Sequence, residues 1–374
     1  MQLRNSLKEN RKKVMAVESH SAPYRDGTFA EVRRNTDTEW LILSGHKNNH
    51  SEWEYISPNE DIRCYSNRTF HFRIFIYRCG FLKIILKYRP DVLITESILE
   101  GMIAKCMIHS RIVLYADTMK PGKHGGYLWN RLLLTWLYKR ADAVWVPGEA
   151  GKKYFRGCLK GKRPVYCGTY TEDADRKLQK IRELRKTKSE LRCMLGFEES
   201  DYVFLFVGKL IPTRHVEVLL KCMKMLDDKN KRIKALVIGD GPDEEKVRGY
   251  LRTGKNIRWL PRVSLQELEK NYALADAYVH PGEEPYSLAL YEAAIAGIPI
   301  LAAEKVGAAA DCLYDGKNGY LLEFCDPSDM CEKMIKAANS EISGNECERV
   351  QRFILEKRGI VWSGEQLMKA CSLN

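Results

Sequence analysis

The chain has 374 residues, of which 45% are apolar, and it carries a formal net charge of +12. This length exceeds what one hydrophobic core usually serves, so we expect two globular domains. Its 12 cysteines form neither a CxxC pair nor a Cys/His cluster with zinc spacing, which argues against a disulfide framework and a zinc site. No uncharged run reaches the roughly 18 residues of a membrane span, so we expect a cytoplasmic protein that does not cross a bilayer.

The net positive charge of the chain comes from its first half. Residues 1–185 carry 34 Lys and Arg against 20 Asp and Glu, whereas residues 186–374 carry 27 against 29. Such an excess is either solvated surface charge or the mark of an anionic partner, namely a membrane surface, a phosphorylated lipid or nucleic acid.

Short β-rich runs alternate with helical patterns along the chain. The first half contains the runs KKVMAVE, EWLILSG, DVLITE, RIVLYA and DAVWVPG, and the second half contains YVFLFVG, IKALVIG, NIRWL, DAYVH, IPILAA and GYLLE. The intervening segments predict helices over residues 69–88, 97–109, 125–140, 214–228 and 287–296. Strands and helices that alternate in this way predict parallel sheets with helices on both faces.

The polar, helical segment around residues 170–190 is predicted to connect the two halves of the chain. We therefore predict an α/β protein with two Rossmann-like, doubly wound domains that face each other across a cleft. The predicted domains cover residues 1–185 and 186–350. The last helical pattern, within residues 351–374, is expected to pack back on the N-terminal domain.

Two loops of the second half follow predicted strands and carry residues suited to a pyrophosphate. Gly208 begins the first loop, and the cations Lys209 and Arg214 come after it. A glycine turn lets the backbone approach a ligand, and two cations can neutralise a pyrophosphate. The second loop contains Gly239 and Gly241, which predict a tight turn before a helix.

A third loop leads into a helix of small residues within PGEEPYSLALYEAAIAGIPI. Ser287 is the predicted N-cap and Gly297 the predicted end of this helix. The positive end of the helix would favour an anion such as a diphosphate. Glu284 precedes the helix and Glu292 lies inside it, and both would accept hydrogen bonds from sugar hydroxyls, because a carboxylate suits vicinal hydroxyl groups.

Each of these residues alone also fits an ordinary exposed charge or a strand-to-helix turn, but together they favour a nucleotide-sugar site. The blocks GKLIPTR, VIGDGPDEEKV, IRWLPRVSLQELEKNYALADAYVHPGEEPYSLALYEAAIAGIPILAAEKVG and DGKNGYLLE resemble the nucleotide-binding domain of family 4 retaining glycosyltransferases with the GT-B fold. The resemblance covers residues 200–325, and the spacing Glu284-x7-Glu292 matches the E-x7-E motif of that family.

The resemblance implies a role for each matching residue. Lys209 and Arg214 would hold the donor diphosphate, Glu284 would contact hydroxyls of the transferred sugar, and Glu292 would bind the ribose. The segment from Pro261 to Val263 would lie near the nucleobase. The remaining donor-site residues would be Gly208, Gly239, Gly241, Tyr286, Ser287 and Leu288.

The resemblance also implies the reaction type. The sugar would be transferred with retention at the anomeric carbon, the nucleotide sugar would be the only co-substrate, and no metal or other cofactor is expected. Lys209, Arg214 and the helix dipole would stabilise the leaving diphosphate. Two departures from the family pattern concern the donor: Tyr286-Ser287 replaces the common Phe-Gly, and Arg214-His215 replaces the usual Lys-Gly.

The first half offers fewer candidates. The segment VMAVESHSAPYRDGTFAEVRR is similar to the first strand and acceptor-side loop of some bacterial polysaccharide glycosyltransferases, which implies acceptor-side roles for His20, Tyr24, Arg25 and Gly27. Asp117 ends the predicted strand RIVLYA and is assigned as a polar contact in the active site. The alternative is a loop or N-cap carboxylate.

The stretch from Arg68 to Arg89 is basic and aromatic. It predicts either a helix on a membrane surface or a core helix whose arginines extend to solvent. Its cations are spread around the helix instead of forming one stripe, which favours the core helix.

The sequence and this resemblance therefore predict a glycosyltransferase that moves a sugar from a nucleotide-diphosphate sugar to a saccharide acceptor. The acceptor is expected to be linked to a lipid, and the reaction is expected to serve the synthesis of a capsule, O-antigen or exopolysaccharide. Peripheral contact with an anionic inner membrane face is expected. One alternative is a nucleotide-sugar epimerase of GT-B-like architecture, against which the Glu284 and Glu292 spacing argues. A basic nucleic-acid-binding protein is the other, but no motif of that class is present. A dinucleotide oxidoreductase is disfavoured because no GxGxxG follows the first strand.

Overall fold

The computed structural model describes residues 11–19, 22–45, 62–65, 69–72, 75–116, 135–170, 173–227, 230–339 and 342–373. These residues divide into two compact units, one within Met1–Glu172 and Arg358–Asn374 and the other within Asp173–Lys357. The connector helix therefore belongs to the second unit, whereas the predicted boundary at residue 185 placed it in the first.

The described strands form two parallel sheets, one in each unit, and one antiparallel hairpin. The strands are β1 (Lys12–Glu18), β2 (Thr38–Gly45), β3 (Ile62–Tyr65), β4 (Thr69–Phe72), β5 (Phe75–Arg78), β6 (Val92–Thr95), β7 (Arg111–Tyr115), β8 (Ala143–Val146), β9 (Val165–Cys167), β10 (Tyr202–Val207), β11 (Ile233–Ile238), β12 (Ile257–Leu260), β13 (Ala277–His280), β14 (Ile300–Ala303) and β15 (Gly319–Leu322). The predicted strand runs are thereby confirmed.

Helices connect most successive strands of each sheet. They are α1 (Pro23–Asn35), α2 (Phe81–Tyr88), α3 (Ile98–Ile108), α4 (Glu149–Leu159), α5 (Ala174–Arg185), α6 (Lys188–Met194), α7 (Val216–Asp227), α8 (Glu244–Leu251), α9 (Leu265–Leu274), α10 (Leu288–Ala296), α11 (Ala309–Cys312), α12 (Pro327–Ala338), α13 (Gly344–Lys357) and α14 (Ile360–Cys371). None of the described helices has the length and apolar character needed to cross a bilayer.

Both sheets are doubly wound. The strand order is β3-β2-β1-β6-β7-β8-β9 in the first unit and β12-β11-β10-β13-β14-β15 in the second. The order reverses between β1 and β6, and again between β10 and β13. Ligands of doubly wound sheets bind at the carboxyl ends of the strands at this point of reversal. In the second unit, the loops after β10 and β13 therefore form the expected ligand site.

The central strands are apolar because helices cover both faces of each sheet. In β10, residues Val203, Phe204, Leu205 and Phe206 are all fully buried. Their side chains point alternately to opposite faces, so a continuous apolar run is what a parallel strand between two helical layers requires.

The helix predicted over residues 69–88 is wrong for its first half. Strands β4 and β5 pair as an antiparallel hairpin, and the helix α2 begins only at Phe81. The sequences TFHF and FIYR are rich in aromatic and β-branched residues, which favour strands. Gly80, at φ 86°, takes the left-handed conformation between hairpin and helix.

Arg78, at the end of this hairpin, does not extend to solvent as the core-helix prediction assumed. It is buried, its Nη1 donates to the Glu100 carboxylate at 2.7 Å, and its Nη2 pairs with Glu96. The two carboxylates supply the compensation that a buried guanidinium needs.

The last helix packs within the first unit. A Cβ on Gly27 of α1 would lie 2.8 Å from Ile360 of α14, and the hydroxyl of Ser363 donates to the carbonyl of Gly168 at 2.6 Å. The helix predicted over residues 125–140 lies mostly outside the described residues.

Candidate active site

The loops after β10 and β11 touch at the carboxyl edge of the second sheet. The backbone N–H of Gly208 donates to the carbonyl of Ile238 at 3.0 Å. Gly239 (φ 148°) and Gly241 (φ 145°) have conformations that side chains disfavour, and a Cβ on Gly239 would lie 1.9 Å from the Gly208 carbonyl oxygen. The predicted tight turn is therefore a close approach of two loop backbones.

Arg214 joins the loop after β10 to the loop after β13. A Cβ on Gly282 would lie 2.5 Å from the Arg214 carbonyl, so only glycine allows the two backbones to come this close. The guanidinium donates from Nη1 to the Glu283 carbonyl at 2.7 Å and from Nη2 to the Glu284 carboxylate at 2.5 Å. Arg214 and Glu284, which the sequence assigned to one site, are thus in direct contact.

The third nitrogen of this guanidinium, Nε, has a different environment. The Nε–H of Arg214 is buried and has no hydrogen-bond partner among the described residues. It adjoins the glycine turn, since a Cβ on Gly208 would lie 3.9 Å from this nitrogen. A buried, unsatisfied cationic donor beside a side-chain-free turn suits an anionic oxygen.

Glu284 is held by a second partner, His280, whose Nε2 lies 3.2 Å from the carboxylate. Burial alone would raise the pKa of Glu284, but the hydrogen bond from His280 and the charge of Arg214 outweigh burial and hold this pKa below its ordinary value. Glu284 is therefore an ionised hydrogen-bond acceptor at neutral pH.

Ser287 caps α10 as predicted, and its hydroxyl accepts a hydrogen bond from the backbone N–H of Leu290 at 3.3 Å. Gly297, at φ 69°, ends the helix in the left-handed conformation, also as predicted. Ser287 itself has φ 88°, a conformation that costs a residue with a Cβ on the order of 1–3 kcal/mol. Tyr286 beside it is buried.

Glycine at position 287 should stabilise the fold relative to alanine. Both Ser287→Gly and Ser287→Ala lose the capping hydroxyl, but only glycine adopts φ 88° without strain. After allowing for the greater freedom of glycine in the unfolded chain, we expect Ser287→Gly to be more stable than Ser287→Ala by about 1 kcal/mol. Urea unfolding of both variants measures the difference, and equal stabilities would contradict backbone strain at this position.

Glu292 lies inside α10 and is 4% exposed. Lys177 of α5 forms an ion pair with one carboxylate oxygen, and the Tyr272 hydroxyl donates to the other at 2.9 Å. The prediction treated Glu292 as open to a ligand, whereas the structure shows it paired with two residues of its own unit. Any ribose contact would have to share this carboxylate with Lys177.

The remaining predicted donor-site residues lie at the same edge of the sheet. Lys209 follows Gly208 and is exposed. Pro261 is exposed and Val263 is half-buried in the loop after β12. Leu288 is the first residue of α10.

Three of the four predicted acceptor-side residues are not in a loop. Helix α1 begins at Pro23, so it contains Tyr24, Arg25 and Gly27. The loop assignment was wrong because it passed over the helix-starting proline, which suits the first helical turn. His20 and Asp117 lie outside the described residues.

Arg25 is 1% exposed, and its Nε donates to the equally buried Glu18 at 2.7 Å. Burial, opposed in part by the charge of Arg25, raises the pKa of Glu18 to about 7. The Arg25 guanidinium also lies over the rings of Tyr24 and Tyr115, 4.9 and 5.3 Å from their centroids. Arg25 therefore contributes to the interior of the first unit, whatever else it contacts.

Three residues near the site carry no motif signal. Lys177 lies in the connector, 115 residues before its partner Glu292. His280 reads as the last residue of a strand, and Gly282 as a loop residue. The signal that the sequence offered is that His280 ends the predicted strand DAYVH, where a parallel strand reaches the ligand-binding edge of its sheet. No three His, Cys, Asp or Glu side chains in the described part of the chain are grouped as metal ligands.

The sequence model of the family Glycosyl transferases group 1 matches residues 187–354. This range contains most of the second unit, including the loops described above. The second unit therefore carries a glycosyl transferases group 1 domain.

Two curated relatives are similar to part of the chain. An uncharacterized glycosyltransferase of Methanocaldococcus jannaschii is 30% identical over 149 residues, which are 39% of this chain and 41% of that protein. A D-inositol 3-phosphate glycosyltransferase of Geodermatophilus obscurus is 32% identical over 155 residues, which are 38% of this chain and 34% of that protein. The similarity thus spans less than half the length of each relative.

A solved structure is similar over nearly the whole chain. The crystal structure of Anabaena HepE in complex with UDP and glucose matches with a TM-score of 0.72 at 15% identity, covering 97% of this chain and 100% of that one. Together with the two parallel sheets, this similarity confirms the predicted fold class, an α/β protein of the GT-B type with two Rossmann-like domains.

Proposed function

We propose that this protein is a glycosyltransferase that moves a sugar from a nucleoside-diphosphate sugar to a saccharide acceptor. The observation that carries the proposal is the buried, unsatisfied Nε–H of Arg214 beside the glycine turn at Gly208. An oxygen of the donor diphosphate would satisfy this donor, and Lys209 would supply a second positive charge. The family match over the same loops supports this assignment.

The two glutamates would bind different parts of the donor. Glu284, ionised and held in place, would accept hydrogen bonds from hydroxyls of the transferred sugar. Glu292 would bind the ribose and share its carboxylate with Lys177. The backbone at Tyr286, Ser287 and Leu288 would hold sugar and phosphate at the positive end of α10.

The proposed reaction proceeds with retention at the anomeric carbon, as in family 4. The bond between the anomeric carbon and the diphosphate oxygen breaks, and the acceptor oxygen bonds to that carbon on the same face. The acceptor proton passes to the leaving phosphate oxygen, so no side-chain base and no metal is assigned to the step. Arg214, Lys209 and the helix dipole stabilise the charge that develops on the leaving diphosphate.

The proposed acceptor is a lipid-linked saccharide at the cytoplasmic face of the inner membrane, in the assembly of a surface polysaccharide. The excess of Lys and Arg in residues 1–185, 34 against 20 acidic residues, supports an anionic partner for that half. Acceptor-side contacts are assigned to His20, Tyr24, Arg25 and Gly27, and Asp117 is assigned as a polar contact in the active site.

A thermal unfolding screen tests the donor site. UDP, GDP, ADP, CMP, NAD and an oligonucleotide are added to the wild type and to Glu292→Gln, and each shift is measured from the midpoint of the same protein without ligand. A ligand at 100 times its dissociation constant stabilises the fold by about 2.7 kcal/mol. We expect one nucleoside diphosphate to stabilise the wild type and to stabilise Glu292→Gln less. Stabilisation by NAD or by an oligonucleotide, with no response to any diphosphate, would overturn the proposal.

A further inference from the structure

His280 is a buried imidazole at the carboxyl end of β13. It is 0% exposed and packs against the rings of Phe206 and Tyr278, whose centroids lie 5.9 and 6.4 Å away. A polar ring in such surroundings needs hydrogen bonds for both nitrogens. The two partners of His280 define which nitrogen carries the proton.

The backbone fixes the tautomer of His280. The N–H of Gly282 points at Nδ1, 3.3 Å away. A backbone amide can only donate, so Nδ1 is the acceptor and the proton resides on Nε2. Nε2 lies 3.2 Å from Oε2 of Glu284 and therefore donates to that carboxylate.

His280 and Arg214 hold the Glu284 carboxylate from two directions. Arg214 binds Oε1 through Nη2 at 2.5 Å, while His280 binds Oε2. The main chain of Glu284 is fixed as well, because its N–H donates to the Lys305 carbonyl and its carbonyl accepts from the Gly307 N–H, at 3.2 and 2.9 Å. The carboxylate thus has little freedom to rotate or shift.

The two partners differ in what they contribute. Arg214 brings a positive charge and an additional donor, the buried Nε–H, which we assign to the diphosphate. His280 is enclosed by protein, and its described hydrogen bonds join it to the Glu284 carboxylate and the Gly282 N–H but not to the Arg214 guanidinium. Removing the imidazole should therefore disturb the contacts that Glu284 makes and leave the diphosphate contacts in place.

We propose that His280 is a positioning residue that orients Glu284 toward the hydroxyls of the transferred sugar and thereby favours a sugar nucleotide over the free nucleoside diphosphate. This inference rests on the proposed function. The imidazole acts as a rigid link: the Gly282 N–H sets its tautomer, and its Nε2–H sets the direction of the carboxylate.

Two substitutions separate the two nitrogens. In His280→Gln the amide can take the place of Nε2 and still donate to Glu284. In His280→Asn the shorter amide can take the place of Nδ1 and accept from Gly282, but it does not reach Glu284. The pair therefore preserves either the link to the carboxylate or the link to the loop.

Isothermal titration measures the effect with three pairs of probes: UDP-glucose with UDP, GDP-mannose with GDP, and ADP-glucose with ADP. The pair that binds wild type most tightly is used for the variants. We expect His280→Asn to weaken the sugar nucleotide about tenfold and the diphosphate less than twofold, and His280→Gln to stay within about threefold of wild type for both. Equal weakening of both probes in His280→Asn, or no weakening of either, would overturn the inference.

The outcome also distinguishes this inference from the proposed function. Absence of binding by every probe to wild type would overturn the proposed function and the inference together. Binding of a pair to wild type with no selective effect of His280→Asn would overturn only the inference.

The tautomer can also be measured directly in the wild-type protein, with one variant used only to assign the signal. In wild-type protein labelled with ¹⁵N-histidine, the signal that disappears in His280→Gln should have the chemical shifts of a ring protonated on Nε2. A ring protonated on Nδ1 would contradict the hydrogen bond to Glu284 and with it the inference.

Discussion

Replacing Arg214 by methionine is expected to lower kcat/KM for sugar transfer by a factor of about 10²–10³, the usual cost of removing one preorganised donor from a developing anion. The loss has two sources. The proposed diphosphate would lose the Nε–H that adjoins Gly208, and Glu284 would lose the Nη2–H that binds its carboxylate. Steady-state kinetics with the sugar nucleotide that binds wild type most tightly in the isothermal titration measures the change.

The same substitution should also shift the pH dependence of donor binding. Arg214 is one of the groups that hold the pKa of Glu284 below its ordinary value, and burial acts in the opposite direction. Without Arg214, burial is less well opposed and the pKa of Glu284 rises. Glu284 then becomes protonated at a higher pH, so the affinity for the sugar nucleotide should begin to fall at a higher pH in Arg214→Met than in wild type as the solution is acidified.

Arg214→Lys is the matched control, because it keeps the charge but has neither the Nε–H nor the forked geometry of the guanidinium. We expect its kcat/KM to lie between those of wild type and Arg214→Met. A fully active Arg214→Met would contradict the assignment of Arg214 to the diphosphate. A fully active Arg214→Lys would show that charge alone is sufficient.

Replacing Lys177 by methionine is expected to destabilise the second unit by about 3–5 kcal/mol, because it leaves the Glu292 carboxylate buried without its counter-charge. Lys177 is 6% and Glu292 4% exposed, so water cannot replace the missing partner. The hydrogen bond from Tyr272 remains but carries no charge. Chemical unfolding of wild type and Lys177→Met measures the loss.

Two comparisons isolate the ion pair. The double variant Lys177→Met with Glu292→Met removes both charges, and it should recover most of the stability lost in the single variant. Lys180→Met, on the same helix, removes a lysine that is 51% exposed and lies 3.7 Å from Glu183, so it should change stability by less than about 0.5 kcal/mol. A double variant as unstable as Lys177→Met would show that the lysine contributes packing instead of charge compensation.

The prediction of the second unit succeeded where the signal is local. The run YVFLFV forms β10 because a continuous apolar run suits a strand covered on both faces. Ser287 and Gly297 bound α10 because caps act on backbone groups within one turn. The order of glycine turns and charges after successive strands placed Arg214 and Glu284 at one edge because parallel strands end at the same edge.

The first half was predicted less well because its outcome depends on partners far away in sequence. Residues 69–72 pair with residues 75–78, and Glu100 of α3 holds Arg78 inside the fold. Arg25 was taken for a loop cation, but it lies in α1 against the carboxylate of Glu18. A basic residue is expected at the surface unless an acidic partner is known. Glu18 and Glu100 could not be identified as these partners from a sequence motif.

By itself, the sequence therefore determined most strands of the two parallel sheets, the doubly wound class and the chemical types of the loops at the edge of the second sheet, because each depends on residues close together in the chain. Only the tertiary structure decided which groups neutralise one another. Lys177 occupies the carboxylate of Glu292 across 115 residues, and His280 and Arg214 share Glu284 because β10 and β13 are neighbours in the sheet. Burial makes such pairing obligatory, and burial is a property of the folded chain.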